Sequence, residues 1–162
     1  MVLVIISVIA GFVGPKLAGS LTNMNLKTAS KRVASALRYA RSQAAAHSIT
    51  YYATFDMDSG RLLVGPDPKA KREEASEGTD GTDAERLPSY YLLKHYELPR
   101  EVFIEKSILG NESATSGFFT IGFFSNGGSS GGTVILENIR GHSYRVSVDD
   151  ITGTVQMGEA NV

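Results

Sequence analysis

Cysteine is absent from the 162 residues. That excludes disulfides, thiolate metal sites and thiol chemistry, and leaves the redox compartment open. The chain also lacks a charge excess, with 16 lysines and arginines against 17 aspartates and glutamates. No overall field would collect nucleic acid or an acidic membrane surface, so any basic patch must be local. A full-length apolar run is missing too: Val2 to Val13 carries no charge, but a bilayer core needs roughly 20 residues of helix. The chain length suits one domain, with enough core to fold without metal or disulfide staples.

What is present falls into three parts, the first being residues 1–22. A buried core helix would carry a polar stripe, which VLVIISVIAGFV lacks. A cleavable signal peptide would have a basic stretch ahead of the apolar run, where here Met1 stands. The favoured expectation is a membrane-anchoring helix, formed by Val2, Leu3, Ile5, Ile6, Val8, Ile9, Phe12 and Val13, whose first residues lie upstream of Met1. Lys16, Lys27, Lys31, Arg32, Arg38 and Arg41 follow it, and on these alone the positive-inside rule places the body of the protein in the cytoplasm. A basic leader upstream would reverse that.

Residues 23–48 are rich in alanine and, as far as His47, free of glycine and proline, which favours helix. Leu26, Ala29, Val33, Ala36, Leu37, Ala40 and Ala44 recur at three- and four-residue steps and predict one narrow apolar stripe, with Lys27, Lys31, Arg38, Arg41 and Ser42 on other faces. If both helical parts are nearly continuous they extend about 70 Å at 1.5 Å per residue, longer than such a domain is wide. Part of the rod must project. Gly11, Gly14, Pro15 and Gly19 mark where it would bend or melt.

Residues 49–162 read as a β-rich domain. ITYYATFDM and GRLLVG flank Asp58-Ser59-Gly60, which is hairpin turn chemistry. From Pro66 to Pro88 charge and small polar residues dominate, predicting a surface loop. Strand-like runs resume with SYYLLKHYEL, EVFIEKSIL, FFTIGFF, TVILEN, SYRVSVD and GTVQM. One long helix laid on antiparallel sheet of about seven strands makes an α+β fold.

Candidate chemistry is sparse. Gly127-Gly128-Ser129-Ser130-Gly131 fits the G-x-S-x-G pattern of a hydrolase nucleophile, but that elbow needs a helix after the serine. TVILEN is another strand, so a hairpin loop is the better reading, and His47, His95 and His142 are scattered. The loop lacks the Gly-Lys-Ser/Thr ending of a phosphate cradle. Asp56 and Asp58, and Asp80, Asp83 and Glu85, do not have calcium-loop spacing. No catalytic residue, cofactor or metal ligand is assigned. Asn111-Glu112-Ser113 has meaning as a glycosylation triplet only in a eukaryotic secretory setting.

MVLVIISVIAGFVGP, LRYARSQA and FFSNGGSSGGTVILENIRGHSYRVSVDDITGTV, in this order, resemble the GspH/FimT-type minor pseudopilins of bacterial type II secretion and type IV pilus systems. Leu37-Arg38-Tyr39-Ala40-Arg41 resembles the family's helix signature. Phe124 to Gly127, with Ser129, Gly131 and Gly132, resembles its Phe-x-x-Gly loop, and Val148-Asp149 with Thr152-Gly153 its closing hairpin. The family's cleavage site, methylated phenylalanine and nearby glutamate have no counterpart here, Met1 to Val13 looking like the portion just after that glutamate. The resemblance implies a pilin-like fold, a single-pass inner-membrane anchor and a periplasmic β domain. It implies a non-enzymatic subunit at or near the tip of a pseudopilus that helps export folded proteins, with other minor pseudopilins, the major pseudopilin and secreted substrates as partners. A DNA-uptake minor pilin is the alternative. Arg140 and Arg145 would serve it, but Asp149, Asp150 and Glu159 argue against nucleic acid. A membrane-anchored serine hydrolase using Ser129 is a third reading.

Overall fold

In the computed structural model the described residues are 2–67 and 93–160, with side chains described from Leu21 onward. One helix, α1 (Val2–His47), precedes nine strands. It runs without interruption through Gly11, Gly14, Pro15 and Gly19, so the chain does not melt at the positions the sequence marked. α1 ends where Ser48 takes a positive φ of 56°, the left-handed conformation that closes many helices.

β1 (Tyr51–Asp56) and β2 (Arg61–Pro66) form the expected hairpin, with Asp56 opposite Arg61. Asp56 pins the turn by accepting from the Asp58 and Ser59 amides, at 3.2 and 3.1 Å, and from the Ser59 hydroxyl. The Ser59 hydrogen bonds hold its carboxyl below the usual carboxylate range. β3 (Lys94–Glu97) and β6 (Phe118–Phe123) complete a four-stranded antiparallel sheet in the order β3-β2-β1-β6. A second antiparallel sheet, of order β5-β4-β7-β8-β9, contains β4 (Val102–Leu109), β5 (Glu112–Ala114), β7 (Gly132–Asn138), β8 (Ser143–Val148) and β9 (Val155–Ala160). Among the described residues there are nine strands, where about seven were expected. β5 gives no sequence signal because its three residues, Glu-Ser-Ala, are all exposed and carry no apolar alternation.

Two boundaries also move. Pro66 belongs to β2, not to the charged loop expected from Pro66 to Pro88, and the rest of that loop beyond Asp67 lies outside the described residues. SYYLLKHYEL supplies only four strand residues among those described.

The helix packs on both sheets at once, touching β1 and β2 of one and β7, β8 and β9 of the other. That explains why its buried face is broader than the predicted stripe. Leu26, Ala29, Val33, Ala36, Leu37, Ala40 and Ala44 are at most 2% exposed, and Ser30 and Ala34 join them. Together these cover about 160° of circumference at about 100° per residue. Ser30 tolerates burial because its hydroxyl donates to the Leu26 carbonyl at 2.9 Å. Tyr51, Phe55, Leu62, Ile121 and Phe123 from the first sheet meet Val134, Leu136 and Val146 from the second in one core.

Candidate functional site

The glycine-rich loop is not a hairpin loop, as its sequence suggested. β6 before it pairs with β1, whereas β7 after it pairs with β4 and β8. The loop therefore carries the chain from one sheet to the other. Gly131 and Gly132, at φ 71° and 138°, make this crossing possible. A Cβ at Gly132 would lie 2.8 Å from the Phe119 ring, so the second sheet starts only where a side chain is missing.

Hydrogen bonds close the loop on itself. The Gly127 amide donates to the Phe124 carbonyl and the Phe124 amide to the Gly128 carbonyl, both at 3.0 Å. Ser130 then ties the loop to β6, its amide donating to the Gly122 carbonyl at 2.8 Å while its hydroxyl accepts from the Gly122 amide at 3.0 Å.

The β8–β9 turn is locked in the same region. Asp149 accepts from the Thr152 amide and hydroxyl, each at 2.8 Å, and the backbone amide of Thr152 is the main reason its carboxyl sits below the ordinary range. This turn docks on the glycine loop: the Ser129 amide donates to the Asp150 carbonyl at 2.9 Å and its hydroxyl to the Asp149 carbonyl at 2.8 Å. At Gly153, φ is 63° and a Cβ would lie 2.5 Å from the Gly127 carbonyl oxygen. Only glycine fits there.

The helix completes the clasp. Arg38 Nη2 donates to the Val155 carbonyl at 3.2 Å, and Arg41 Nε reaches the Gly127 carbonyl at 3.5 Å. These arginines, placed by periodicity on the wet side of the helix, bend inward to backbone carbonyls. Tyr39 between them receives Lys94 Nζ of β3 over its ring, 3.7 Å from the centroid. Every residue of Leu37-Arg38-Tyr39-Ala40-Arg41 thus engages the domain.

Residues 29–152, which include all the loops and helix residues just described except Gly153 and Val155, match the family model of the type II transport protein GspH. The chain belongs to the GspH family. A curated relative, the type II secretion system protein H of Xanthomonas campestris pv. campestris, is 28% identical over 158 residues, covering 98% of this chain and 78% of the relative. The fold is shared with the minor pseudopilin EpsH of the Vibrio cholerae type 2 secretion system (TM-score 0.57, 14% identity, 83% of this chain and 97% of EpsH). It is shared as well with the type IV minor pilin FimU of Pseudomonas aeruginosa (TM-score 0.52, 16% identity, 84% and 90%).

In this GspH-family chain Ser129 is structural. It is 6% exposed, and its hydroxyl is occupied by donation to Asp149 and by acceptance from the Gly131 amide at 2.9 Å. His47 ends α1, His95 lies in β3 and His142 in the β7–β8 turn. Phe124 remains 39% exposed. The side chains of Val2, Leu3, Ile5, Ile6, Val8, Ile9, Phe12 and Val13 lie outside those described.

A second pin, at the opposite end of β8, escaped sequence reasoning. Asn138 is fully buried; its Oδ1 accepts from the amides of Arg140 and His142, at 3.0 and 3.1 Å, while Nδ2 donates to Asn23 Oδ1 on the helix at 3.0 Å. Its only signal in the sequence is an asparagine just before Arg140-Gly141, which marks a turn but not the partner on α1.

Proposed function

We propose that this chain is a structural minor pseudopilin of a type II secretion system, assembling at or near the tip of a periplasmic pseudopilus that helps export folded proteins. The observation that carries the reading is the length of α1 relative to the domain. Forty-six residues span about 69 Å at 1.5 Å per residue. A rod of that length is longer than a domain of this size is wide, and its C-terminal part, Leu26 to Ala44, lies in the core. The turns ahead of Thr22, apolar from Val2 to Val13, supply an inner-membrane anchor and then a surface for neighbouring subunit helices. Among the described residues no helix is long and apolar enough to cross a membrane, so the anchor rests on this N-terminal run and on the family. The β domain stands in the periplasm and takes no cofactor. Its partners are other minor pseudopilins, the major pseudopilin and the secreted substrates.

Cross-linking in cells tests the assembly. Lys31 lies on the exposed face of α1, and the chain has no cysteine to interfere. Lys31→Cys should give a disulfide cross-link to a pseudopilin carrying a cysteine on its own helix. A subunit that stays uncross-linked in a secreting cell contradicts the proposal.

The FimU likeness supports the pilin fold alone, and so leaves a type IV minor pilin as the second reading. Its DNA-uptake form would need a basic surface. Arg145, in β8, lies opposite Gly158 of β9, and the turn that ends β8 carries Asp149 and Asp150, which make no basic surface.

A further inference from the structure

We infer that α1 pivots about the turn from Leu26 to Ser30, and that the hydrogen bond from Asn138 to Asn23 is the latch that holds the projecting part of the helix in one direction over the domain. Among the described side chains, the buried apolar residues of α1 begin at Leu26. Ahead of it Thr22 is buried, but Leu21, Asn23, Met24 and Asn25 are exposed. From Leu26 onward any movement of the helix would open gaps in a close-packed core. Before Leu26 the helix lacks that apolar bed.

Side-chain amides tie the helix there, and they lie to one side. Asn138 Nδ2, at the end of β7, donates to Asn23 Oδ1 at 3.0 Å, and Asn25 Nδ2 donates to Glu101 Oε2, just before β4, at 3.2 Å. In the sheet order β4-β7-β8-β9 the other flank is the side of β8 and β9. On that flank an open cleft of about 760 Å³ separates Asn23, Met24 and Lys27 from Ser143, Tyr144 and Glu159. The helix is thus tied on one flank and has room to swing on the other. Ser30 marks the pivot. Its hydroxyl donates to the Leu26 carbonyl at 2.9 Å, competing with the Ser30 amide for that oxygen, an arrangement that weakens and bends helices. The consequence rests on the proposed function: the latch sets the angle at which the β domain stands on its anchor until neighbouring helices pack against it. The pivot itself is a property of the chain and does not depend on that reading.

Absence of cysteine makes the test direct, because two spin labels can be placed without background. In the full chain, purified in detergent, Lys16→Cys labels the helix ten residues ahead of Leu26, about 15 Å along the rod. Ile151→Cys labels the β8–β9 turn, where Ile151 is 82% exposed. Double electron–electron resonance should give one narrow distance distribution for this pair. Asn23→Ala should broaden it, raising the unlatched-to-latched ratio roughly fivefold, the factor equivalent to about 1 kcal/mol for one hydrogen bond. Asn23→Asp keeps an acceptor for Asn138 Nδ2 and should restore the narrow distribution. A second pair, Lys31→Cys with Ile151→Cys, has both labels on the domain side of the pivot and should stay narrow throughout. A first-pair distribution unchanged by Asn23→Ala overturns the latch, as does equal broadening in Asn23→Asp. Broadening of the second pair as well means that the whole helix loosens, and overturns the pivot. The anchored reading stands or falls on membrane retention and secretion, which these distances do not touch.

Discussion

Single residues decide how the ends of this domain are held. Asn138 satisfies two backbone amides and one side chain on α1 from inside the core. Asn138→Ala strands those donors, and each buried unsatisfied group costs about 1–3 kcal/mol, so urea unfolding should show a loss of about 2–3 kcal/mol. Asp149 acts at the other end and makes stability depend on pH. The Thr152 amide and hydroxyl hold its folded carboxyl below its ordinary unfolded value. Its contribution is therefore fully present above that value and is lost as pH falls through the lower folded pKa. Asp149→Asn should remove this component, so acid unfolding curves of the variant and the parent should converge at the lowest pH and separate above it. Gly153 carries a different kind of restriction, since both its φ of 63° and the Gly127 carbonyl 2.5 Å from a would-be Cβ exclude a side chain.

At the scale of elements, what was readable in the sequence depended on periodicity. The helix, its seven core positions and the β1–β2 hairpin were legible because apolar spacing and turn residues act locally, while the β8–β9 hairpin was implied by the family resemblance. Which strands pair is not a local property. SNGGSSGG reads alike as a hairpin loop or as a bridge between sheets, and only the partners of β6 and β7 distinguish them. Likewise the periodicity that puts Arg38 and Arg41 outside the stripe cannot show the Val155 and Gly127 carbonyls that await them. The G-x-S-x-G match has a purely structural origin: glycine enables the crossing, and Ser129 fastens the last hairpin. The helix itself is the keystone of both sheets. Leu37 is fully buried between them, and Leu37→Ala should cost about 2–5 kcal/mol, the range for a core leucine. A loss under 1 kcal/mol in chemical denaturation would mean that α1 is only loosely docked.

At the scale of the whole molecule, the domain grips the helix at two places. Clasp and pin fasten α1 near its C-terminal end and at Asn23, so force applied to the helix is transmitted to both sheets. Under the proposed function, such coupling would serve a subunit drawn from a membrane into a filament. The family match places the chain among type II transport proteins, and the proposal assigns its apolar N-terminal run the tasks of retention and assembly. The most direct measurement is secretion of a type II substrate by cells whose own copy is deleted, complemented with full-length protein carrying Val8→Asp. One ionised side chain at the centre of a membrane helix costs about 3 kcal/mol, and the account predicts that the variant is made but restores no secretion. Secretion at the parental level by Val8→Asp would contradict it.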